Sequence, residues 1–496
     1  MSKKYFTKRL IVLATVLLLA WVGISCKSKK PTEGGFELER PDDKVTNVGG
    51  SDGMLNEEQK AGYNNEMLHI RLLADSMDGE AYYRSPVVVT YNDNKGIAMF
   101  LEKRYGAGGV DDVGVDGNAR VDIIYFANNR GGNELNYGEG SGNIVGLGSS
   151  AKNDFTLSKA SAVVFANGNE ITVVAASGSG AMPERNGLVS EVKIIKGTAG
   201  SDSITWSSDW TDLNITYTPD GASEALTGSE AIKAYVGEKV NANYNSIYTR
   251  WGKGKIDGQK FVLPLTLIQK NGTANVTQGL LVLYSEDAGA TWKFGPSHNF
   301  DQNTYKIATG LSVSGTTVTL AAVPNVTKDK VAKPIGIYTA TLEDASAAKK
   351  DITQAGQSSF NDSENNFEIA KGTDGSAYFI NTRNRTGQYM NGFVINELLT
   401  LAVLSDADKL QENSAMQMSK ACGIGSVAVL KDGTIVTVAE EAFAEGSGEG
   451  ENRFNVVQRR FTRGYLDARV VNNESKIRVD DEYYNPNLGG LGGGNN

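Results

Sequence analysis

Histidine and cysteine chemistry is nearly closed to this chain. His69 and His298 are its only histidines, and Cys26 and Cys422 its only cysteines, in 496 residues. That leaves little material for a Ser-His-Asp relay, for zinc held by paired histidines, or for a disulfide framework. No P-loop occurs, and Ser177-Gly178-Ser179-Gly180 lacks the helix that a phosphate loop needs. The polar residues that stand out instead are arginines and carboxylates placed beside strand-like runs. Arg84 sits in Tyr83-Arg84-Ser85-Pro86-Val87-Val88-Val89, and Arg104 closes Ala98-Met99-Phe100-Leu101-Glu102-Lys103-Arg104. Asp116 precedes Val121-Asp122-Ile123-Ile124, with Asp111 and Asp112 in the same acidic loop. Glu364, Glu368, Arg383 and Arg385 flank the run AYFIN, and Glu440 ends another run. The planar fork of arginine pairs a carboxylate through two parallel hydrogen bonds, so these residues suit the capture of an acidic group.

Hairpins must position these side chains. Six segments share a turn containing Gly followed by a β-prone apolar strand: NDNKGIAMFLEKR, NGNEITVVAAS, IDGQKFVLPLTLI, VSGTTVTLAAVP, TDGSAYFINTR and KDGTIVTVAEE. Asn, Asp or Ser next to Gly suits the positive-φ positions of tight turns. The turn glycines Gly96, Gly168, Gly258, Gly315, Gly375 and Gly433 recur at intervals of about 60 to 90 residues, a spacing that indicates a propeller or solenoid. Four strands per unit and six units would close a ring without exposed sheet edges, the alternative being a large sandwich. Cys422 reads as a small core residue.

Ser285-Glu286-Asp287-Ala288-Gly289-Ala290-Thr291-Trp292 follows the strand LLVLY and fits the Asp-box pattern Ser-x-Asp-x-Gly-x-Thr-Trp at each fixed position. Its chemistry is structural: Asp bonds nearby N–H groups, Gly makes the turn and Trp packs on the sheet. Weaker echoes stand at Asn129-Arg130-Gly131-Gly132 and at Trp206–Trp210.

Net charge is −9, and no Lys/Arg-rich run follows the first thirty residues, so nucleic acid is not expected as a partner. Lys3, Lys4, Lys8 and Arg9 precede the uncharged apolar run Leu10–Val22, too short to span a bilayer. Gly23-Ile24-Ser25-Cys26 then resembles a bacterial lipobox, which implies a signal peptide over 1–25 and lipid on Cys26. An ordinary secretory leader is the alternative. Residues 26–60 read as a polar tether, 61–480 as the folded body with a short helix around 65–75, and 481–496 as a disordered Gly/Asn-rich tail.

Asp boxes on a six-bladed ring resemble the bacterial exo-α-sialidases (neuraminidases), and the resemblance covers about residues 80–465. It implies an all-β, six-bladed propeller of sialidase type. Arg84 would be the first of three arginines that grip the sialic acid carboxylate, with Asp116 as acid/base and Asp111 and Asp112 as rivals. Arg104 matches the acidic-x-Arg strand end, and Glu440 the glutamate that steadies the first arginine. Arg250–Gly258 resembles the family's glycine-rich segment in blade three. In blade four, Tyr305–Gly310 carries neither the expected glutamate nor the second arginine. Arg383 and Arg385 stand where the third arginine belongs; alternatively Glu364 and Arg383 are the missing pair, shifted by one blade. The nucleophilic tyrosine position is occupied by Ile424, in Ile424-Gly425-Ser426-Val427, with Tyr389 or Tyr465 as possible replacements. The implied function is a surface exo-α-sialidase acting as a monomer on sialylated host glycans, without cofactor or metal. The alternatives are an inactive propeller that binds a glycan or host protein, and a purely structural lipoprotein.

Overall fold

In a computed structural model, the structure describes residues 50, 52–63, 67–74, 81–105, 120–132, 142–146, 154–181, 190–207, 209–271, 274–300, 305–324, 333–342, 353–362, 367–389, 393–443 and 454–469. The leader, the tail, Cys26, Asp111, Asp112, Asp116 and Glu364 lie outside the described residues.

The chain enters through helix α1 (Glu57–Gly62), whose Asn56 and Gln59 form a reciprocal capping box. Strand β1 (His69–Ala74) follows where a short helix was expected. Its backbone groups pair antiparallel with the last strand of the ring, His69 opposite Arg460, and this tertiary pairing overrides the local pattern. Blade one is β2 (Ala81–Tyr91), β3 (Gly96–Tyr105), β4 (Val121–Asn128) and β5 (Asn143–Ile144). Blade two is β6 (Lys159–Asn167), β7 (Glu170–Ser177) and β8 (Glu191–Ala199), with β9 (Ile204–Trp206) and β10 (Thr211–Asp212) both on β8. A small hairpin, β11 (Thr216–Tyr217) and β12 (Leu226–Thr227), leads to helix α2 (Gly228–Tyr235).

Blade three opens with β13 (Ser246–Thr249), and β14 (Gly252–Lys253) then crosses to pair parallel with β6. It continues as β15 (Lys255–Asp257), β16 (Lys260–Asn271), β17 (Ala274–Ser285) and β18 (Lys293–Asn299). Blade four is β19 (Tyr305–Ser314), β20 (Thr317–Pro324), β21 (Lys333–Thr341) and β22 (Thr353–Asp362). Blade five is β23 (Glu368–Lys371), β24 (Ala377–Tyr389), β25 (Phe393–Asp406) and the first half of the long β26 (Gln411–Val429). The second half of β26 opens blade six, followed by β27 (Ile435–Phe443), β28 (Phe454–Phe461) and β1. The ring is thus a six-bladed propeller closed by an N-terminal strand. Helix α3 (Arg463–Arg469) caps the last strand.

Each blade is buried on both faces, which explains runs of consecutive apolar residues where half-exposed strands would alternate. On β27, Val436 and Val438 pack with Val88, Ile97 and Met99 of blade one, while Ile435 and Ala439 pack with Ile380 and Leu401 of blade five. Comparable clusters fill the other four seams. Each buried Val, Leu, Ile or Phe contributes about 1.5–3 kcal/mol, so the seams carry most of the stability.

All six glycine turns join an inner strand to the strand it pairs with, in blade three β15 to β16. Gly168, Gly258, Gly315, Gly375 and Gly433 have φ between 57° and 84°. Blade one solves the same problem differently: Asn92, Asp93 and Asn94 take the left-handed positions, and Gly96 lies where a Cβ would meet the Tyr91 ring at 2.5 Å. Ser285–Trp292 forms a hydrogen-bonded turn after β17. Gly289 N–H donates to Ser285 Oγ at 2.7 Å, and Thr291 donates to Asp287 through N–H and Oγ1 at 2.8 and 2.6 Å. Trp292 packs edge-on to Phe165 of blade two. In blade one, Asn128 Oδ1 accepts from Arg130 and Gly132 N–H at the corresponding turn.

Candidate functional site

Arg84 lies near the start of β2, at the end of the ring opposite the glycine turns. Pairing of β2 with β3 slips between Arg84 and Val87, and Ser85 takes a φ of 56°. Glu440, fully buried on β27, fills this bulge. Its Oε1 accepts from Arg84 Nε at 2.8 Å and from Ser85 N–H at 2.7 Å, and its Oε2 accepts from Ile424 N–H at 3.1 Å. Hydrogen bonds to a charged partner contribute about 1.5–3 kcal/mol each, and three of them offset the cost of burying the carboxylate. Gly423 is required beside it, because a Cβ there would stand 1.8 Å from Glu440 Oε2. Ser426 Oγ accepts from Val88 N–H at 3.0 Å and fixes the next step of the same seam. A guanidinium held at Nε by a buried acid is fixed in orientation, which is what recognition of an anionic group requires.

The neighbouring seam repeats this construction. Arg84-Ser85-Pro86-Val87-Val88 on β2 corresponds to Ala160-Ser161-Ala162-Val163-Val164 on β6, where the register also slips and Ser161 has a φ of 55°. Glu102 Oε1 accepts from Ser161 N–H at 2.7 Å, and Glu102 Oε2 takes Arg104 at Nη2 and Nε, at 2.5 and 2.9 Å. Arg104 is therefore buried against an acid of its own strand, one i,i+2 step away on the same face. At the third seam Ala176 stands in the glutamate position, and Thr249 Oγ1 bridges instead, accepting from Ala176 N–H and donating to Ser161 O.

A further buried pair was not anticipated as a functional element. Arg120 binds Asp122 Oδ1 through Nε at 2.7 Å and Nη2 at 2.6 Å. Burial, reinforced by the Asp122 charge, pushes the Tyr105 phenol well above the ordinary tyrosine range. The only signal in the sequence was the i,i+2 spacing of Arg120 and Asp122 on a strand.

Arg383 and Arg385 lie on β24, the second strand of blade five, and their side chains are outside the described residues, as is that of Tyr389. Glu368 serves blade three, accepting from Lys253 N–H at 3.0 Å. Ile424 occupies the inner strand of blade six. Tyr465, the other tyrosine considered, is fully buried on α3 and packs on Phe461 within the core.

No protein-family model matches the sequence, and no curated protein matches it. Solved structures do share the fold. A Trypanosoma rangeli sialidase superposes with a TM-score of 0.53 at 14% identity, over 78% of this chain and 56% of that one. A Hadza microbial sialidase gives 0.52 at 12% identity, over 78% and 66%. A protein of unknown function from Dyadobacter fermentans gives 0.50 at 10%, over 80% of this chain and 98% of its own. The chain thus spans just over half the length of the trypanosomal enzyme. At these identities the likeness shows a six-bladed propeller of sialidase type.

Proposed function

We propose that this protein is an exo-α-sialidase-like glycosidase that takes terminal sialic acids from host glycoconjugates. The observation that carries the reading is Arg84, held at Nε by the buried Glu440 where blades six and one meet. Arg84 receives the sugar carboxylate and Glu440 keeps the guanidinium oriented. Asp116, with Asp111 and Asp112 as rivals, supplies the proton. Arg383 and Arg385 are proposed as further carboxylate ligands, Glu364 as a companion acid, and Arg104 as a contributor to substrate binding. Export with lipid on Cys26 would present the propeller at a bacterial membrane or surface.

A second reading is favoured by Ile424, whose side chain replaces the tyrosine hydroxyl that the sialidase resemblance implies. Under it the propeller binds a sialylated glycan without cleaving it. The purified chain incubated with a fluorogenic sialoside separates the two. Release abolished by Arg84→Ala supports hydrolysis. Calorimetric binding of sialic acid without release supports the second reading, and neither signal would sink both.

A further inference from the structure

The opposite end of the ring axis holds a cavity of about 410 Å³, lined by β2, β6, β15, β19, β23 and β26, one inner strand from each blade. It is separate from Arg84: Val89 and Thr90 line it, five and six residues further along β2, about 16–20 Å away at the rise of an extended strand. Lys253, Lys255 and Lys371 contribute to its wall, and among the described residues no aspartate or glutamate does. Glu368 stands behind Lys253, with its Oε1 on the Lys253 N–H and its Oε2 at 3.5 Å from the ammonium. The Lys253 ammonium also donates to Val427 O at 2.5 Å. Lys371 leans on the exposed Asp408 at 3.9 Å. Among the described residues, Lys255 has no acid within ion-pair distance, and Glu368 acts on it only at longer range, so three lysines face two nearby acids inside a chain of net charge −9.

The rest of the wall is largely apolar, with Val164, Ile256, Leu311 and Ile369 among its residues. A low-dielectric concavity of one sign focuses its field and raises the local concentration of counter-charge. Burial lowers the Lys255 ammonium from its ordinary range, the Glu368 charge opposes that shift, and Lys371 adds to it. The volume falls within the range of small-ligand sites.

We propose that this axial cavity binds a small oxyanion, a phosphate or carboxylate carried on a compact body, between Lys255 and Lys371. The site is independent of Arg84 and of any glycosidase activity.

The test is calorimetry on the full purified chain with inorganic phosphate and with succinate, at fixed ionic strength set with chloride. Saturable binding of phosphate alone identifies a phosphoryl ligand, and of succinate alone a carboxylate; either supports the site. Lys255→Met is expected to weaken binding about tenfold or more, since one lost charge contact is worth at least about 1.4 kcal/mol. Lys255→Arg should retain it, and Arg84→Ala should leave it unchanged. Should Lys255→Met fold poorly, Lys371→Met provides a second variant, expected to weaken binding from the more exposed wall. No saturable binding of either probe, or binding abolished by Arg84→Ala and indifferent to both lysine variants, overturns the proposal.

Discussion

Glu440 and Glu102 occupy the same position on the second strands of blades six and one, each five residues after the isoleucine, Ile435 or Ile97, that follows the glycine turn. Each reaches into the next blade and holds the N–H of a left-handed serine at a bulge, Ser85 or Ser161. The difference lies in the cation. Glu440 holds Arg84, which sits on the neighbouring blade's inner strand, whereas Glu102 holds Arg104 of its own strand. Blade two carries Ala160 where blade one carries Arg84. The clamp is therefore a device of the ring, used at two successive seams, and only one of them places a guanidinium at the inner edge. Candidate chemistry was added to a structural repeat by a single side chain.

Breaking the two clamps should separate these roles. Glu440→Ala leaves Arg84 as a buried charge without its acid, and is expected to destabilise the protein by about 3–5 kcal/mol and to weaken sialic acid binding by up to the loss expected for Arg84→Ala. Glu102→Ala should cost a similar amount in denaturant unfolding yet weaken binding by the folded fraction less than Glu440→Ala does, because the arginine it holds, Arg104, is proposed only as a contributor to binding. Equal losses of binding in both would show that the clamps are not functionally distinct.

Substitution of Arg84 or of its neighbour sharpens the contrast. Arg84→Ala should weaken binding of free sialic acid by about 30–100-fold, the equivalent of one charge-assisted contact of about 2–3 kcal/mol, read by calorimetry. Gly423→Ala forces a methyl group onto Glu440 Oε2 and should cost about 1–3 kcal/mol, with weaker binding and no change at the Glu102 seam. Hydrogen–deuterium exchange at Ile424 and Ser161 reports on the two seams separately.

The smallest expected effect lies in blade three, far from either clamp in sequence. Burial raises the Asp287 carboxyl, but bonds from Thr291, Ser285 and Ala290 outweigh it and bring the group to about 2. Its folded value is thus below the unfolded one, so its contribution is present above pH ~4 and is lost as pH falls towards 2. Asp287→Asn should narrow its stability difference from the parent across that window while sialic acid binding at neutral pH stays unchanged. Lys253 also gains stability as pH rises, at higher pH and because its charge is penalised rather than favoured. Burial lowers its ammonium to about 8, partly offset by Glu368, so the cost of charging it in the folded state is relieved as pH rises from about 8 towards 10.5. Lys253→Met should remove that rise in unfolding free energy.

What the sequence determined by itself was local. The six glycine turns, the Asp box and its echo at Asn129–Gly132 depend on backbone conformations and hydrogen bonds spanning a few residues, so their residues can be read in isolation. Repetition of those turns implied the ring, and apolar runs implied sheets covered on both faces. The expected helix near residue 70 failed because β1 exists only through its pairing with β28, the far end of the chain. Arg84 and Glu440 could be named from their strands, but they stand 356 residues apart, and only ring closure brings them to 2.8 Å. The same holds for Glu102 with Ser161, for Glu368 with Lys253, and for the lysines that share the axial cavity. Side-chain partners across seams are set by where closed blades meet, a property of the whole ring that no stretch of residues encodes alone.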